Sequence, residues 1–417
     1  MTMPPPRDGR GQPRPPSAFR LPPSGMTLIE LIVAITIVAI LGALLLGVAA
    51  TAGGVAREAR TNSMITRLHT LLMERYDEYR TRRVELRPNA EAQLLVDTEA
   101  PNQYSDLAGV YLGGLAPQQR SAATRLAALR ELMKLEMPDR WSDLIGMPLS
   151  TNPVWIDPKQ AVDKDNPNRI NRFTSEAPVL WGLYLRTYNR IVPGQPSGSD
   201  PHINTVTNQP NTLSDILTNQ GAECLYLVIM NATGDGEARG LFKETDTGDT
   251  DGDGALEFLD GWGNPIAYLR WAPGFESDAQ LSVPGLQDLY ADAERDAPGS
   301  GPATVTNAIL TDHSPYDLFR IDNPQTNVPG FDESNDAPSA RGWRLVPLIY
   351  SLGADEESGL ADGLTRTTGG ATTADYFVRT NPYGVTGSNL RIGTAIDFET
   401  SADNINNHQS GSLVRTR

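Results

Sequence analysis

Residues 24–33 read Ser-Gly-Met-Thr-Leu-Ile-Glu-Leu-Ile-Val and begin the most informative segment of the chain. An apolar run without any charged residue follows from Leu31 to Ala56. A helix of about 20 apolar residues is long enough to cross a bilayer. Residues 1–25, which precede it, are rich in Pro and Gly and carry four arginines, which favours keeping them in the cytoplasm. The sequence therefore predicts a membrane-spanning helix with the rest of the chain outside.

Glu30 is the unusual residue of this predicted helix. A carboxylate inside a membrane span costs roughly 2.5 kcal/mol or more unless it is paired, and such residues generally have a function. If the chain is cut after Gly25, Met26 becomes the new N-terminus and lies one helical turn from Glu30. The new amine and the carboxylate can then neutralise each other, within one chain or between neighbouring chains.

This pattern resembles the signature of type IV pilins and of the pseudopilins of type II secretion, with Met26 where Phe is usual. The resemblance implies that a prepilin peptidase cuts after Gly25 and methylates Met26, and that Glu30 directs assembly. It also implies other pilin or pseudopilin subunits, an inner-membrane assembly platform and membrane lipid as partners. A plain signal anchor, or ordinary signal cleavage near residues 49–52, is the alternative.

The patterning divides the chain into four parts. We expect a cleaved leader at 1–25, a helix at 26–85 that is first membrane-spanning and then amphipathic, a globular extracytoplasmic head at 86–399, and a disordered tail at 400–417. The amphipathic part has apolar residues at intervals of three or four, which predicts a helix with one buried face. These residues are Ile65, Leu68, Leu72, Tyr76 and Tyr79.

Further periodic segments predict the elements of the head. Helices are expected over 118–136 and 176–191, and strands over 265–271, 344–351, 377–379 and 394–398. Residues 213–230 predict a helix or a buried strand, and periodicity does not distinguish the two for the last part; Ala222 and Glu223 favour a helix there. With the long N-terminal helix they predict an α+β, pilin-like fold: the helix packs on a small antiparallel sheet, and large helical and loop insertions enlarge the head.

The predicted head is strongly acidic. Of the 35 basic and 51 acidic residues, 23 basic and 44 acidic ones follow residue 90. Such a surface repels nucleic acid, which we exclude as a partner, and it suits divalent cations. Cys224 is the only cysteine of the sequence, so the chain forms no intrachain disulfide and no cysteine-based zinc cluster.

Residues 249–260 read Asp-Thr-Asp-Gly-Asp-Gly-Ala-Leu-Glu-Phe-Leu-Asp and match the calcium loop of an EF-hand, with Asp in place of the final Glu. Alternating carboxylates can converge on one ion, and Gly254 permits the sharp turn that closes the loop. A plain solvated turn of Asp and Gly is the alternative. The predicted calcium ligands are the side chains of Asp249, Asp251, Asp253, Glu257 and Asp260 and the carbonyl of Ala255.

Two later segments resemble the major pseudopilin of type II secretion. These are Trp-Gly-Asn-Pro at 262–265 and Ser-Leu-Gly-Ala-Asp at 351–355. In that family the second loop helps to bind calcium, which makes Asp355 a further candidate ligand. Insertions at 86–212 and 275–342 have no counterpart in a compact major pseudopilin, and a head of this size favours a minor or tip-located subunit.

The sequence therefore predicts a structural subunit of a pseudopilus or pilus-like filament. It would cross the inner membrane once, with its N-terminus in the cytoplasm and its head outside, before entering the filament. The alternatives are a pilus-displayed adhesin and an extracellular hydrolase anchored by a pilin leader. We expect no enzyme, because the four histidines are scattered and the sequence lacks Gly-x-Ser-x-Gly, His-Glu-x-x-His and a phosphate-binding glycine loop.

Overall fold

The computed structural model describes residues 27–99, 116–149, 153, 155–166, 169–193, 202–232, 237–275, 277, 316–317, 345–366, 372–375, 385–386, 390–397 and 399–408. The chain forms two compact units, Met1–Val55 and Ala56–Arg417. Helix α1 (Leu28–Glu78) begins in the first unit and ends in the second.

The remaining elements belong to the second unit, which forms the head. Its helices are α2 (Ala90–Glu99), α3 (Pro117–Glu136), α4 (Trp141–Ile145), α5 (Pro158–Ala161), α6 (Val179–Ile191), α7 (Leu213–Leu217), α8 (Gln220–Ala232) and α9 (Glu237–Leu241), with a 3-10 turn at Glu244–Asp246. The strands are β1 (Thr247–Gly248), β2 (Glu257–Phe258), β3 (Ile266–Leu269), β4 (Leu348–Ser351), β5 (Leu364–Arg366), β6 (Thr372–Asp375), β7 (Val385–Thr386), β8 (Leu390–Arg391) and β9 (Ile405–Asn406). A long N-terminal helix, small antiparallel sheets and several helices confirm the predicted α+β class and fit a pilin-like fold.

The part of α1 that belongs to the head buries the predicted apolar stripe. Ile65, Leu68, Leu72 and Tyr76 of α1, and Tyr79 directly after it, are each at most 2% exposed and lie in the largest hydrophobic cluster. Burying a side chain of this size stabilises the fold by roughly 1.5–3 kcal/mol. This stripe makes the outer part of α1 a core element of the head, as predicted.

Helix α1 ends at Glu78, seven residues before the predicted boundary at 85. The chain leaves the helix here and directs two side chains at one carboxylate of α3. The Tyr79 hydroxyl and the Arg82 guanidinium each donate a hydrogen bond of 2.6 Å to Glu136. These long-range contacts fix the end of the helix, and the helical periodicity alone could not place it.

Helix α3 lies at the centre of the head. It starts with Pro117 at its first turn, where the missing N–H of proline costs nothing. Its side chains reach three separate hydrophobic clusters, represented by Leu129, Leu135 and Leu126. The prediction of a helix over 118–136 is confirmed, and this helix connects the cores of the head.

An antiparallel sheet of three strands, in the order β3-β4-β9, carries the main core. In the register of this sheet, Tyr268 of β3 lies opposite Ile349 of β4. Helix α8 approaches β3 so closely that a Cβ added to Gly221 would lie 2.7 Å from the carbonyl oxygen of Tyr268. Only glycine permits this separation. The predicted helix over 213–230 is interrupted before α8, where Asn219 has a φ of 59°.

The polar residues after 399 correct a prediction. Instead of a disordered tail, residues 405–406 form β9 and pair with β4. The backbone N–H of Asn407 donates to the carbonyl oxygen of Ile349 at 3.0 Å, and the N–H of Ile349 donates to the Asn407 side chain at 2.9 Å. Backbone pairing at a sheet edge holds this segment, so its low hydropathy was misleading.

One further predicted strand is wrong, and three predicted segments lie wholly or mostly outside the described residues. Residues 394–397 form no strand, and Ala395 instead makes an isolated bridge to Leu360. The strand predicted over 377–379, the end of the tail at 409–417 and most of the insertion at 275–342 lie outside the described residues.

Candidate functional site

The first turn of α1 is closed by a capping box between Thr27 and Glu30. The carboxylate of Glu30 accepts hydrogen bonds from the backbone N–H of Thr27 at 2.9 Å and from its hydroxyl at 3.0 Å. The N–H of Glu30 donates to the Thr27 hydroxyl at 3.3 Å. Such reciprocal bonds satisfy N–H groups that have no partner inside the helix. Gly25 and Met26 lie outside the described residues, so cleavage and amine pairing stay predictions.

The same helix exposes a continuous apolar surface in the first unit. Leu28 is 78% exposed, and Leu46 is 74% exposed. The helix is long and apolar enough to cross a membrane. An apolar surface of this extent is unfavourable in water and requires lipid or other apolar helices around it. Its large exposed apolar side chains, among the described residues, are Leu28, Ile29, Leu31, Ile32, Val33, Ile35, Ile37, Val38, Ile40, Leu41, Leu44, Leu46, Val48 and Val55.

The predicted calcium loop connects β1 to β2, which pair as a short hairpin. Backbone N–H groups of the loop orient its carboxylates. Gly254 donates to Asp249 at 3.1 Å, Asp253 to Asp251 at 3.4 Å, and Ala255 to Asp253 at 2.7 Å. Gly254 has a φ of 99°, a conformation that side-chain-bearing residues rarely adopt, so it makes the predicted sharp turn.

A neighbouring segment holds the loop from outside through its backbone carbonyls. The side-chain amide of Asn204 donates to the carbonyl of Asp251 at 3.0 Å, and that of Asn211 donates to the carbonyl of Asp253 at 2.8 Å. The guanidinium of Arg190 donates to the carbonyl of Gly254 at 2.8 Å. With these carbonyls bound on one side, the loop is fixed in a shape that directs its carboxylates into the head.

The structure brings four of the predicted ligands together and adds a fifth carboxylate. One oxygen from each of Asp249, Asp251 and Glu257 lies within 4.8 Å of the other two. A second triad of the same kind consists of Glu223, Asp251 and Asp253. The two triads share Asp251. We call these five residues the acidic cluster.

Glu223 was missed because it lies 26 residues before the loop, on helix α8. It is fully buried, and its carboxylate accepts a 2.6 Å hydrogen bond from the indole N–H of Trp141. One signal in the sequence pointed to it: a lone carboxylate stands immediately before the apolar run 224–230. A buried acid in such a place needs a partner.

Burial and mutual repulsion shape the acidic cluster. Burial, reinforced by neighbouring carboxylates, raises the pKa of Asp251 to about 8 and that of Glu257 to about 8. Burial and the charge of Asp249 raise the pKa of Asp253 to about 7, against the hydrogen bond from Ala255. Burial, followed by the charges of the loop, also raises the pKa of Glu223 well above its ordinary value. Without a compensating cation, these groups resist ionisation.

Asp260, the predicted last ligand of the loop, belongs to neither triad. One of its oxygens accepts hydrogen bonds from the N–H groups of Trp262, Gly263 and Asn264 at 2.8, 2.9 and 2.9 Å. The other accepts a 2.6 Å bond from the hydroxyl of Ser351. Asp260 therefore closes the turn after the loop and ties it to β4.

Asp355 and Ala255 are the two remaining predicted ligands. Asp355 is exposed, and its carboxylate accepts a 3.0 Å hydrogen bond from the N–H of Glu357 in its own turn, outside both triads. Ala255 is buried in the second hydrophobic cluster, directly after the loop glycine. Its N–H group donates to Asp253 and orients that carboxylate, while the ligand role of its carbonyl oxygen stays a prediction.

Comparison with known proteins identifies one feature of the chain. Residues 23–46 match the prokaryotic N-terminal methylation motif, which marks the leader of type IV pilin-like prepilins. The match covers the predicted cleavage point, Glu30 and most of the exposed apolar surface of α1. Neither a characterised protein nor a solved structure matches the chain.

Proposed function

We propose that the chain is a structural subunit, a minor pseudopilin, of a type II secretion pseudopilus or a type IV pilus-like filament. The observation that carries the proposal is the methylation motif at 23–46 on a helix that exposes an unbroken apolar surface. That surface needs apolar surroundings, which the membrane supplies before assembly and neighbouring helices supply in the filament.

Processing would prepare Glu30 for assembly. A prepilin peptidase would cut after Gly25 and methylate Met26, leaving a charged amine one turn from the carboxylate. In the described chain Glu30 accepts hydrogen bonds from Thr27 alone, and this leaves a net negative charge on an apolar helix. Pairing with an amine, of its own chain or of a neighbour, removes that charge and sets the register of subunits.

The size of the head favours a minor subunit over a major one. The two segments that resemble the major pseudopilin are joined in space, because Asp260 precedes the first and Ser351 begins the second. The insertion at 86–212, which has no counterpart in a compact major pseudopilin, contributes helices α2 to α6 to this head. The size of this head also suits the runner-up function, an adhesin displayed on a pilus, and the two differ in whether the protein binds a surface ligand.

Location and partners follow from this role. The protein would cross the inner membrane once, with its N-terminus in the cytoplasm and the head outside. It would meet the prepilin peptidase, the assembly platform and other pilin-like subunits there.

The test is the N-terminal mass of the protein recovered from native membranes. We expect a chain that begins with N-methylated Met26. A chain that retains residues 1–25, or that is cut near residue 52, would contradict the proposal and indicate an ordinary anchored or secreted protein. A sample from cells without prepilin peptidase is the control, and there residues 1–25 should be retained.

A further inference from the structure

We propose that the head binds one calcium ion through the acidic cluster, and that Glu223 of α8 completes the set of ligands where the sequence placed Asp260. The inference concerns the head alone and stands whether or not the chain enters a filament. It assigns the ion to the contact between the hairpin loop 249–256 and a helix of the core, away from the loop that carries Asp355.

Unpartnered oxygens in the acidic cluster point to a ligand. Oε1 of Glu223, Oδ1 of Asp249, Oδ2 of Asp251 and Oδ2 of Asp253 are buried and accept no hydrogen bond from the described residues. The Glu223 and Asp253 side chains have no exposed surface at all. Buried polar atoms almost always have a partner, so four such oxygens in one cluster require an explanation.

The hydrogen bonds of the loop leave these oxygens available. In Asp249, Asp251 and Asp253, one carboxylate oxygen accepts a backbone N–H while the other has no partner. Glu223 shows the same arrangement: the indole N–H of Trp141 donates to Oε2, and Oε1 has no partner among the described residues. Each side chain is therefore fixed by one oxygen and presents the second to the cluster.

The charge of the cluster has no counterpart among the ion pairs of the residues that the structure describes. None of the ion pairs among the described residues includes any of the five carboxylates. An oxygen of Glu223 lies within 4.8 Å of one of Asp253, and a proton shared by this pair would neutralise only one of the two carboxylates. Five carboxylates with four unpartnered oxygens exceed what a single shared proton compensates, and a divalent cation compensates them together.

The chemistry of the ligand atoms favours calcium over zinc and magnesium. Both triads offer only oxygen, which excludes the nitrogen and sulfur ligands typical of zinc sites. Two oxygens bound to one calcium at about 2.4 Å lie at most about 4.8 Å apart, and each triad meets that limit. Calcium accepts six to eight oxygens in flexible geometry, whereas magnesium demands a near-ideal octahedron and keeps several waters. A crowded, fully carboxylate site suits the larger ion.

A calcium ion bound through Glu223 would stabilise the head. Helix α8 carries Glu223 two residues after Gly221, which packs directly on β3. An ion held by both Glu223 and the loop would fasten the hairpin to the central sheet. Calcium binding should then stabilise the whole head, because a ligand that binds the folded state alone shifts the unfolding equilibrium.

The experiment uses the full-length protein in detergent and calcium chloride as the probe. Titration calorimetry should show one calcium ion per chain and weaker binding of magnesium, and calcium should raise the melting temperature. Glu223→Gln keeps the shape of the side chain and should weaken calcium binding by about tenfold or more, because affinity follows the number of charged ligands. The matched control, Asp355→Asn, removes a carboxylate outside the cluster and should leave the affinity unchanged.

Three results would contradict the proposal in whole or in part. If wild-type protein binds no calcium and its melting temperature is unchanged by calcium and by chelator, the carboxylates share protons and the proposal is wrong. Unchanged calcium affinity in folded Glu223→Gln would remove Glu223 from the site. If that variant does not fold, Asp251→Asn tests the cluster through the residue common to both triads, and wild-type affinity there would overturn the proposal.

Discussion

The hydroxyl of Ser351 lies 2.6 Å from Oδ2 of Asp260 and donates a hydrogen bond to it. Both residues are buried, at 0% and 2% exposure. The bond joins the turn after the acidic loop to the last residue of β4, across 91 positions of sequence. Asp260 thus has a structural role in this turn and lies outside both triads of the acidic cluster.

Replacing Ser351 with Ala should destabilise the head. The substitution leaves a buried, charged oxygen of Asp260 without its donor, which costs about 1–3 kcal/mol. Urea unfolding of the full-length protein in detergent measures the loss. Ser63→Ala, at an exposed position on α1, is the matched control and should change stability by less than about 0.5 kcal/mol. Equal stability of the two variants would show that the hydrogen bond contributes nothing.

Replacing Gly261 with Ala should disturb the packing of the turn against α1. An added Cβ would lie 2.3 Å from the backbone carbonyl oxygen of Arg57, which cannot move without displacing the helix. We expect a loss of about 1–3 kcal/mol or more in the free energy of unfolding. Gly240→Ala is the control, because nothing lies within 4 Å of its added Cβ. A Gly261 variant as stable as the Gly240 variant would contradict this contact.

His408 should make the head less stable in mild acid. Burial, together with the charge of His69, lowers the pKa of His408 to about 4, against a hydrogen bond to the carbonyl of Pro347. Since the unfolded chain takes up this proton near pH 6.5 and the folded chain only near 4, stability is complete above pH 6.5. It is lost as the pH falls between these values, by about 2 kcal/mol at pH 4.5.

The His408 prediction is checked by urea unfolding of wild type and His408→Gln at pH 7.5, 5.5 and 4.5. The variant lacks the titrating ring, so its stability should fall less than that of wild type by about 2 kcal/mol over this range. Parallel loss in both proteins would show that other groups cause the acid sensitivity.

Replacing Glu30 with Ala should impair assembly and leave membrane insertion intact. Removing a charge from the apolar helix favours insertion, while the partner of the Met26 amine is lost. Membrane fractionation measures the first effect, and the amount of protein in sheared filaments measures the second. Glu58→Ala removes an exposed carboxylate from the same helix and should assemble like wild type. Normal incorporation of the Glu30 variant would refute the pairing argument.

Features that depend on local residue patterns could be predicted without the structure. The apolar run and its motif fix the nature of α1, because an uncharged helix of this length has no stable place in water. The spacing of Leu68, Leu72 and Tyr76 fixed which face of the helix is buried, and Pro117 to Glu136 followed from the same periodicity. Alternating carboxylates and Gly254 fixed the shape of the acidic loop.

Which side chains share a site depends on packing between segments that are distant in sequence. Glu223 enters the acidic cluster because α8 packs on β3, and no spacing within the loop encodes that contact. Asp260 leaves the cluster because Ser351 and the turn N–H groups occupy its oxygens. The polar segment at 405–406 joins the sheet through backbone hydrogen bonds. Such bonds depend on which strands meet in space and little on side-chain character, so the pattern of residues could not reveal them.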